Sequence, residues 1–374
     1  MNALAKKSES IEVWTNRIQP AYINDLPTFL DEDGDVIEGI YAGVPNDVYH
    51  ALPAYSSTLI KELVKTTPQH AFRKFFSNVE RKRTSAQRNT LDTGTLGHEL
   101  ILEPEHFSSR YFRVPLAKEH LNALTTIKQL QDTLKDAGLK ITGTKPELVE
   151  RVKEQLPNIP VLDVIIEEAY VSAVGQTTYD KAKELVAEKK ASNIYDAFSD
   201  GLLTEYTSKL PMDGLVWDDA HRVQETFLTH ERAKKLINNG YAELTVIARD
   251  PETGLMLKVK FDYINKNAIA SDVKTTRSAN PHKFRLQCRD LAYDVQEAFY
   301  KYVANLQGIP VSIFAFIAVE YLEADICEVY ELSSNVQARA KVKMTKALKC
   351  LENCLSQNSW HGYSKNKEVM VLDW

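Results

Sequence analysis

The clearest pattern in the chain is an alternation. In LMLKVKFDYI, Leu257, Val259, Phe261 and Tyr263 fall on one side, and Lys258, Lys260 and Asp262 on the other, which is the period of a strand. YAELTVIARD before it and AIASDVKTT after it read as neighbouring strands. Asn265-Lys266-Asn267 is the turn between the second and third. A long helix is expected from about His282 to Asn305. VSIFAFIAV is apolar enough to be a strand buried on both faces, ICEVYEL reads as a further strand, and a closing helix starts near Asn335. This order predicts an α/β fold with a mixed central sheet flanked by helices.

Upstream of Gly240 the period is helical. Ser57 opens a helix with Leu59, Ile60, Leu63 and Val64 as its apolar stripe. GTLGHELILEPEHF places His98 on a second helix that stops at Pro104. Residues 125–157 read as a compact helical hairpin. Ile127, Leu130 and Leu134 line its first helix, which ends at Gly138. Thr144 and Glu147 form a capping box for the second, with Pro146 tolerated in the first turn, and Leu148, Val152 and Leu156 line it. More helix is expected over 163–198 and 218–238. Residues 1–37 are polar and irregular and read as a weakly structured leader. The expected division is thus that leader, a core of 38–117 with 218–374, and a helical insertion over 118–217.

Composition narrows the classes. The 374 residues are 44% hydrophobic, enough for a sizeable core, and the net charge is −5. That excludes a uniformly basic nucleic-acid coat but not a local basic groove. The N-terminus has no apolar core of signal-peptide length, and no run of about 18 apolar residues suggests a membrane span. Four cysteines make no disulfide framework. Cys350 and Cys354, four apart, read as buried small hydrophobes in preference to half a metal site. A soluble cytoplasmic protein is expected.

Asp272 and Lys274, two apart at the exit of a strand, point to one face. An exposed pair of this kind contributes only about 0–1 kcal/mol. The Asn-Lys-Asn turn, however, brings Asp262 beside Asp272. Two close carboxylates repel unless they are protonated or share a cation, and Mg²⁺ (or Mn²⁺) takes a few hard oxygen ligands beside waters and phosphates. A lysine on the same face suits the orientation of an attacking water and the stabilisation of charge on a phosphate. Gln296 and Tyr300 share a face of the next helix, and His98 offers a nitrogen ligand.

In this order the motifs resemble the RecB-type branch of the PD-(D/E)xK nucleases: G-x-x-x-H, then D, then D-x-K, then Q-x-x-x-Y. The similarity is closest to the RecE (exonuclease VIII) family of phage and prophage exonucleases. It is carried by GIYAGVPNDVYHALPAYSSTLIKELVKTTPQHA, GTLGHELILEPEHF, HERAKKLINNGYAELTV and SDVKTT…QCRDLAYDVQEAFYKYV, and it covers about 38–117 and 218–334. Phe261 stands where the family usually has proline, and Asp272 where it often has glutamate.

The resemblance implies that His98, Asp262 and Asp272 ligate metal, with Glu243 as a further ligand or supporting group. It makes Lys274 the residue that positions or activates water, and has Gln296 and Tyr300 hold the site or the DNA backbone. It further implies duplex DNA degraded from 5′ ends, 3′ single strands left for a RecT-like annealing protein, and a ring-shaped homo-oligomer. The hairpin, through LKDAGLKITGTKPELVERV, resembles SAP/HeH/LEM modules, which either bind DNA or serve as packing elements. Candidate DNA contacts are Arg73, Lys74, Arg81, Lys82, Arg83 and Arg88, and, after the catalytic strand, Lys283, Arg285 and Arg289. The rival readings are a non-catalytic DNA-binding protein on the same fold, a RecB-type endonuclease and an iron–sulfur nuclease.

Overall fold

The computed structural model describes residues 14–77, 95–321, 324–364, 369 and 371. The strands among them are β1 (Ile18–Pro20), β2 (Tyr22–Ile23), β3 (Leu26–Pro27), β4 (Gly39–Ala42), β5 (Tyr111–Val114) and β6 (Leu210–Asp213). They continue with β7 (Gly240–Arg249), β8 (Met256–Asn265), β9 (Ile269–Thr276), β10 (Ile313–Glu320) and β11 (Cys327–Glu331). The chain divides into two compact units, residues 1–88 with 223–374, and residues 89–222.

The first unit is built on a seven-stranded mixed sheet in the order β1-β4-β7-β8-β9-β10-β11. β7, β8 and β9 form an antiparallel meander, and β10 joins β9 in parallel. A parallel neighbour needs a crossover. The chain supplies it with two helices, Pro281–Asp290 and Tyr293–Leu306, where the pattern suggested one. The break is at Ala292, which is buried and left-handed with φ 52°. No glycine or proline marks it.

One face of the sheet packs on the Ser57–Lys65, Tyr293–Leu306 and Ser334–Ser356 helices through Leu59, Ile60, Val259, Phe261, Phe299, Val303, Met344 and Leu351. Full burial of each such side chain contributes about 1.5–3 kcal/mol. The opposite face is covered too, by Phe29, Tyr41, Val44, Tyr49 and Leu52 around Ile247. The polar edge of the β8 alternation is therefore not solvated: Lys258 is 4% exposed and Lys260 9%. Lys258 donates to the carbonyls of Tyr49, His50 and Leu52, ending the Asn46–Ala51 helix.

The described part of the leader, residues 14–37, is ordered, contrary to its polar reading. Trp14 and Phe29 are each 1% exposed, and β1 pairs in parallel with β4. Two large anchors spaced through polar sequence carry no period, so alternation could not reveal them.

The second unit is mostly helical, with β5 and β6 as a short parallel pair. Phe112, Tyr170, Tyr179, Phe198 and Leu203 form one core. The expected hairpin is the Ile127–Asp136 and Lys145–Gln155 pair, and Leu130, Leu134, Leu148 and Val152 are fully buried in a core of its own. Glu147 Oε2 accepts from the Thr144 backbone N–H at 2.7 Å, as the capping box requires. Ile127, assigned to the apolar stripe, is half exposed at the helix start. Among the described residues no helix is long and apolar enough to cross a membrane.

Candidate active site

The site is set by strand register. β8 and β9 pair Tyr263 with Ser271 and Ile264 with Ala270, so the next step sets Asp262 opposite Asp272. β7 and β8 pair Ala242 with Tyr263 and Leu244 with Phe261, which sets Glu243 opposite Asp262. Directly opposed residues of antiparallel strands share a face. Glu243, Asp262 and Asp272 thus occupy neighbouring positions on β7, β8 and β9.

Local sequence fixes this register. The Asn265 side chain accepts from the backbone of Asn267 and Ile269, each at 3.0 Å, closing the β8–β9 turn. At the start of β7, a Cβ on Gly240 would stand 2.3 Å from the Ile264 carbonyl oxygen, so only glycine allows the two backbones to approach. Glu243 is left-handed with φ 52°, a conformation that costs a non-glycine residue about 1–2 kcal/mol. Where the β8–β9 ladder stops, Asp262 Oδ2 accepts from the Val273 backbone N–H at 2.8 Å.

Asp272 is 1% exposed and doubly held. Its Oδ2 lies 2.5 Å from Lys274 Nζ, and its Oδ1 accepts from Gln296 Nε2 at 2.6 Å. The Asp272–Lys274 pair is therefore a buried ion pair at the carboxylates and not a solvated one. Burial works against the Lys274 charge, but Asp272 and Asp262 outweigh it and raise its pKa above the ordinary lysine value. In that state Lys274 is a donor. Its ammonium also sits over the Tyr293 ring, 4.8 Å from the centroid.

Tyr300 is placed differently from its partner Gln296. Its hydroxyl donates to the Lys260 carbonyl at 3.0 Å, and its ring meets Phe261 edge-on. It secures the β8 backbone behind Asp262 and does not reach the carboxylates. Glu243 Oε2 is 3.0 Å from Lys260 Nζ, which also donates to Asn46 Oδ1 at 2.6 Å. Glu243 is thus held by a lysine two residues before Asp262, a pairing the sequence reading did not include.

A second residue missed in the sequence is Lys61, on the Ser57–Lys65 helix. Its Nζ donates to Gln296 Oε1 at 3.3 Å and lies 5.8 Å from the Tyr293 centroid. Burial first, then the Lys274 ammonium, push its pKa down to about 8, against the pull of Asp272. Its signal was only a lysine on the partly polar side of an amphipathic helix.

The remaining candidates lie on other elements. His98 lies half-buried on a helix over 95–102, in the second unit. Arg81, Lys82, Arg83 and Arg88 lie outside the described residues. Arg73 is exposed, and Lys74 pairs with Glu62 at 2.7 Å. Lys283, Arg285 and Arg289 are exposed on the Pro281–Asp290 helix. Arg285 and Arg289 line a cavity of about 500 Å³ together with Phe284, Cys288, Tyr330, Arg339 and Lys343. Among the described residues no three His, Cys, Asp or Glu side chains converge into a ready-made metal cage. Two adjoining carboxylates are nevertheless a hard oxygen set that suits a cation retaining most of its waters, and each carboxylate oxygen can accept more than once.

Residues 188–372 match the family model of a PDDEXK-like domain of unknown function, and residues 126–157 match the SAP domain. The chain carries a PDDEXK-like domain and a SAP domain. The mixed sheet flanked by helices and the Asp262, Asp272, Lys274 array lie within or beside those matched stretches. Among solved structures, the chain is similar to a "Putative exonuclease" from Eubacterium rectale, with 10% identity and a TM-score of 0.42 over 89% of this chain and 96% of that one. It is also similar to SSO0001, with 15% identity and a TM-score of 0.25 over 47% of this chain and 72% of that one. Comparison with curated proteins found no significant match.

Proposed function

We propose that this protein is a divalent-metal-dependent exodeoxyribonuclease that hydrolyses phosphodiester bonds of linear duplex DNA. The observation that carries the reading is the buried Asp272, set opposite Asp262 by strand register and gripped by Lys274 and Gln296. Asp262 and Asp272 would hold the cation, Mg²⁺ with Mn²⁺ as a substitute. When bound, it supplies Lewis acidity to the phosphoryl oxygens and makes water a better nucleophile. Lys274 donates from the same face, orienting the water and countering charge that develops on the phosphate. Gln296 fixes the Asp272 carboxylate, and Tyr300 fixes the strand bearing Asp262. His98 as a nitrogen ligand rests on the family resemblance alone.

The resemblance also supports 5′-to-3′ action that leaves 3′ single strands for a RecT-like annealing protein, a ring-shaped homo-oligomer and work in the cytoplasm. The SAP hairpin and the Lys283, Arg285, Arg289 edge are the proposed duplex contacts.

The test is cleavage of end-labelled linear duplex with Mg²⁺ or Mn²⁺, beside a nicked circle and a covalently closed circle. Asp272→Asn and Asp262→Asn should each lower the rate about 10²- to 10³-fold, an effect of the size seen when a transition-state electrostatic group is lost. Equal activity of wild type and Asp272→Asn would remove the site assignment. Cutting of closed circular DNA would convert the reading to an endonuclease, and tight binding without cleavage in either metal would leave a DNA-binding protein.

A further inference from the structure

Lys61 and Lys274 share the Tyr293 ring, one ammonium 5.8 Å and the other 4.8 Å from its centroid. Their situations differ. Lys274 has Asp272 at 2.5 Å. For the Lys61 ammonium, the one side-chain hydrogen bond among the described residues is to the neutral Gln296 amide, at 3.3 Å. A largely buried ammonium has three donors to place and a charge to offset, and burial without an anion in contact is costly.

The amide between them is oriented. Gln296 gives its N–H to Asp272 and turns its carbonyl to Lys61, so Lys61 stands one side chain beyond the carboxylates. A carboxylate-bound cation and its phosphate would meet Lys274 on one side of Gln296 and Lys61 on the other. An anionic oxygen there would satisfy the remaining donors of Lys61 and offset its repulsion by Lys274.

We propose that Lys61 is a substrate ligand, donating to a non-bridging oxygen of a DNA phosphate held at the carboxylates. This deepens the nuclease reading and rests on it for the identity of the anion. The competing role is purely positional, with Lys61 serving only to orient Gln296. The two separate through charge. A phosphate contact releases a counterion from DNA, whereas orientation of an amide releases none.

The experiment is equilibrium binding of a short duplex at several salt concentrations, with Ca²⁺ at a fixed concentration in place of Mg²⁺ as the hard oxygen-binding cation, to wild type, Lys61→Met, Lys61→Arg and Gln296→Leu. Thermal melting checks each fold, and Lys61→Gln stands in if the methionine variant fails to fold. Lys61→Met should weaken binding about 10- to 100-fold at low salt, the range for a hydrogen bond to a charged group. It should also reduce the slope of log affinity against log salt by roughly 0.9, one phosphate contact. Lys61→Arg should restore the slope, and Gln296→Leu should keep it. A Lys61→Met slope equal to that of wild type, with a cleavage loss that matches Gln296→Leu, would overturn the proposal in favour of positioning. Cleavage by the wild type is measured separately with Mg²⁺ and Mn²⁺. An inactive wild type whose salt slope still falls in Lys61→Met would keep the phosphate contact while refuting the nuclease.

Discussion

Asp272 takes its properties from two neighbours that do different things. Lys274 supplies charge at 2.5 Å, and Gln296 supplies direction, because its amide can donate to Asp272 only while its carbonyl faces Lys61. Gln296→Leu keeps the volume and removes both bonds. We expect cleavage to fall about 10- to 100-fold, the range for loss of a group that supports a metal-binding ligand. Gln296→Glu should do worse. It places a second carboxylate against Asp272 at a position where an N–H now donates, and like charges at that range force one of them to take up a proton. Single-turnover rates at saturating metal and DNA, with melting curves as a fold check, measure both. A Gln296→Leu enzyme as fast as wild type would show that Asp272 needs no such direction.

At the level of elements, the site depends on β7 and β8 lying close enough to bring Glu243, Asp262 and Asp272 to neighbouring positions. Gly240→Ala tests this at a distance from the chemistry. The added methyl would meet the backbone of Ile264 and Asn265, at 2.3 and 2.4 Å, and backbone cannot swing aside as a side chain can. The strands must part, so we expect about 1–3 kcal/mol of destabilisation by denaturant titration, as for other forced overpacking, together with lower cleavage. Unchanged stability would mean that β7 starts elsewhere.

The meander itself was legible from sequence. Alternation gave the strands, Asn265 gave the turn, and their register brought Asp262 to Asp272. The SAP hairpin was legible for the same reason, through Thr144, Glu147 and Gly138. The break at Ala292 was not, since alanine has no turn signature and only tertiary packing holds it left-handed. The Lys260–Glu243 pair escaped because strand alternation says which residues share a face but not whether that face is covered. Here the chain around Tyr49 covers it. Lys61 escaped because it lies some 200 residues from the strands it serves.

The whole molecule carries a net charge of −5 and must still hold a polyanion. Affinity then has to come from a small number of cations placed together, and it should be sensitive to salt. On the proposed function, Lys61 and Lys274 at the carboxylates, with Lys283, Arg285 and Arg289 on the helix that follows β9, would make about five phosphate contacts. The slope of log affinity against log salt should then be roughly −4 to −5, so that a change from 50 to 200 mM salt weakens binding by several hundred-fold. Replacing Lys283, Arg285 and Arg289 together by alanine should reduce that slope by roughly two to three. It should raise KM much more than it lowers kcat, because these side chains are exposed and make none of the contacts to Asp272. Binding titrations and steady-state rates on one linear duplex across that salt range check both parts. A triple variant with an unaltered slope would move the duplex track away from this helix and leave the SAP hairpin, with Lys128, Lys135 and Lys140 exposed on it, as the next element to neutralise.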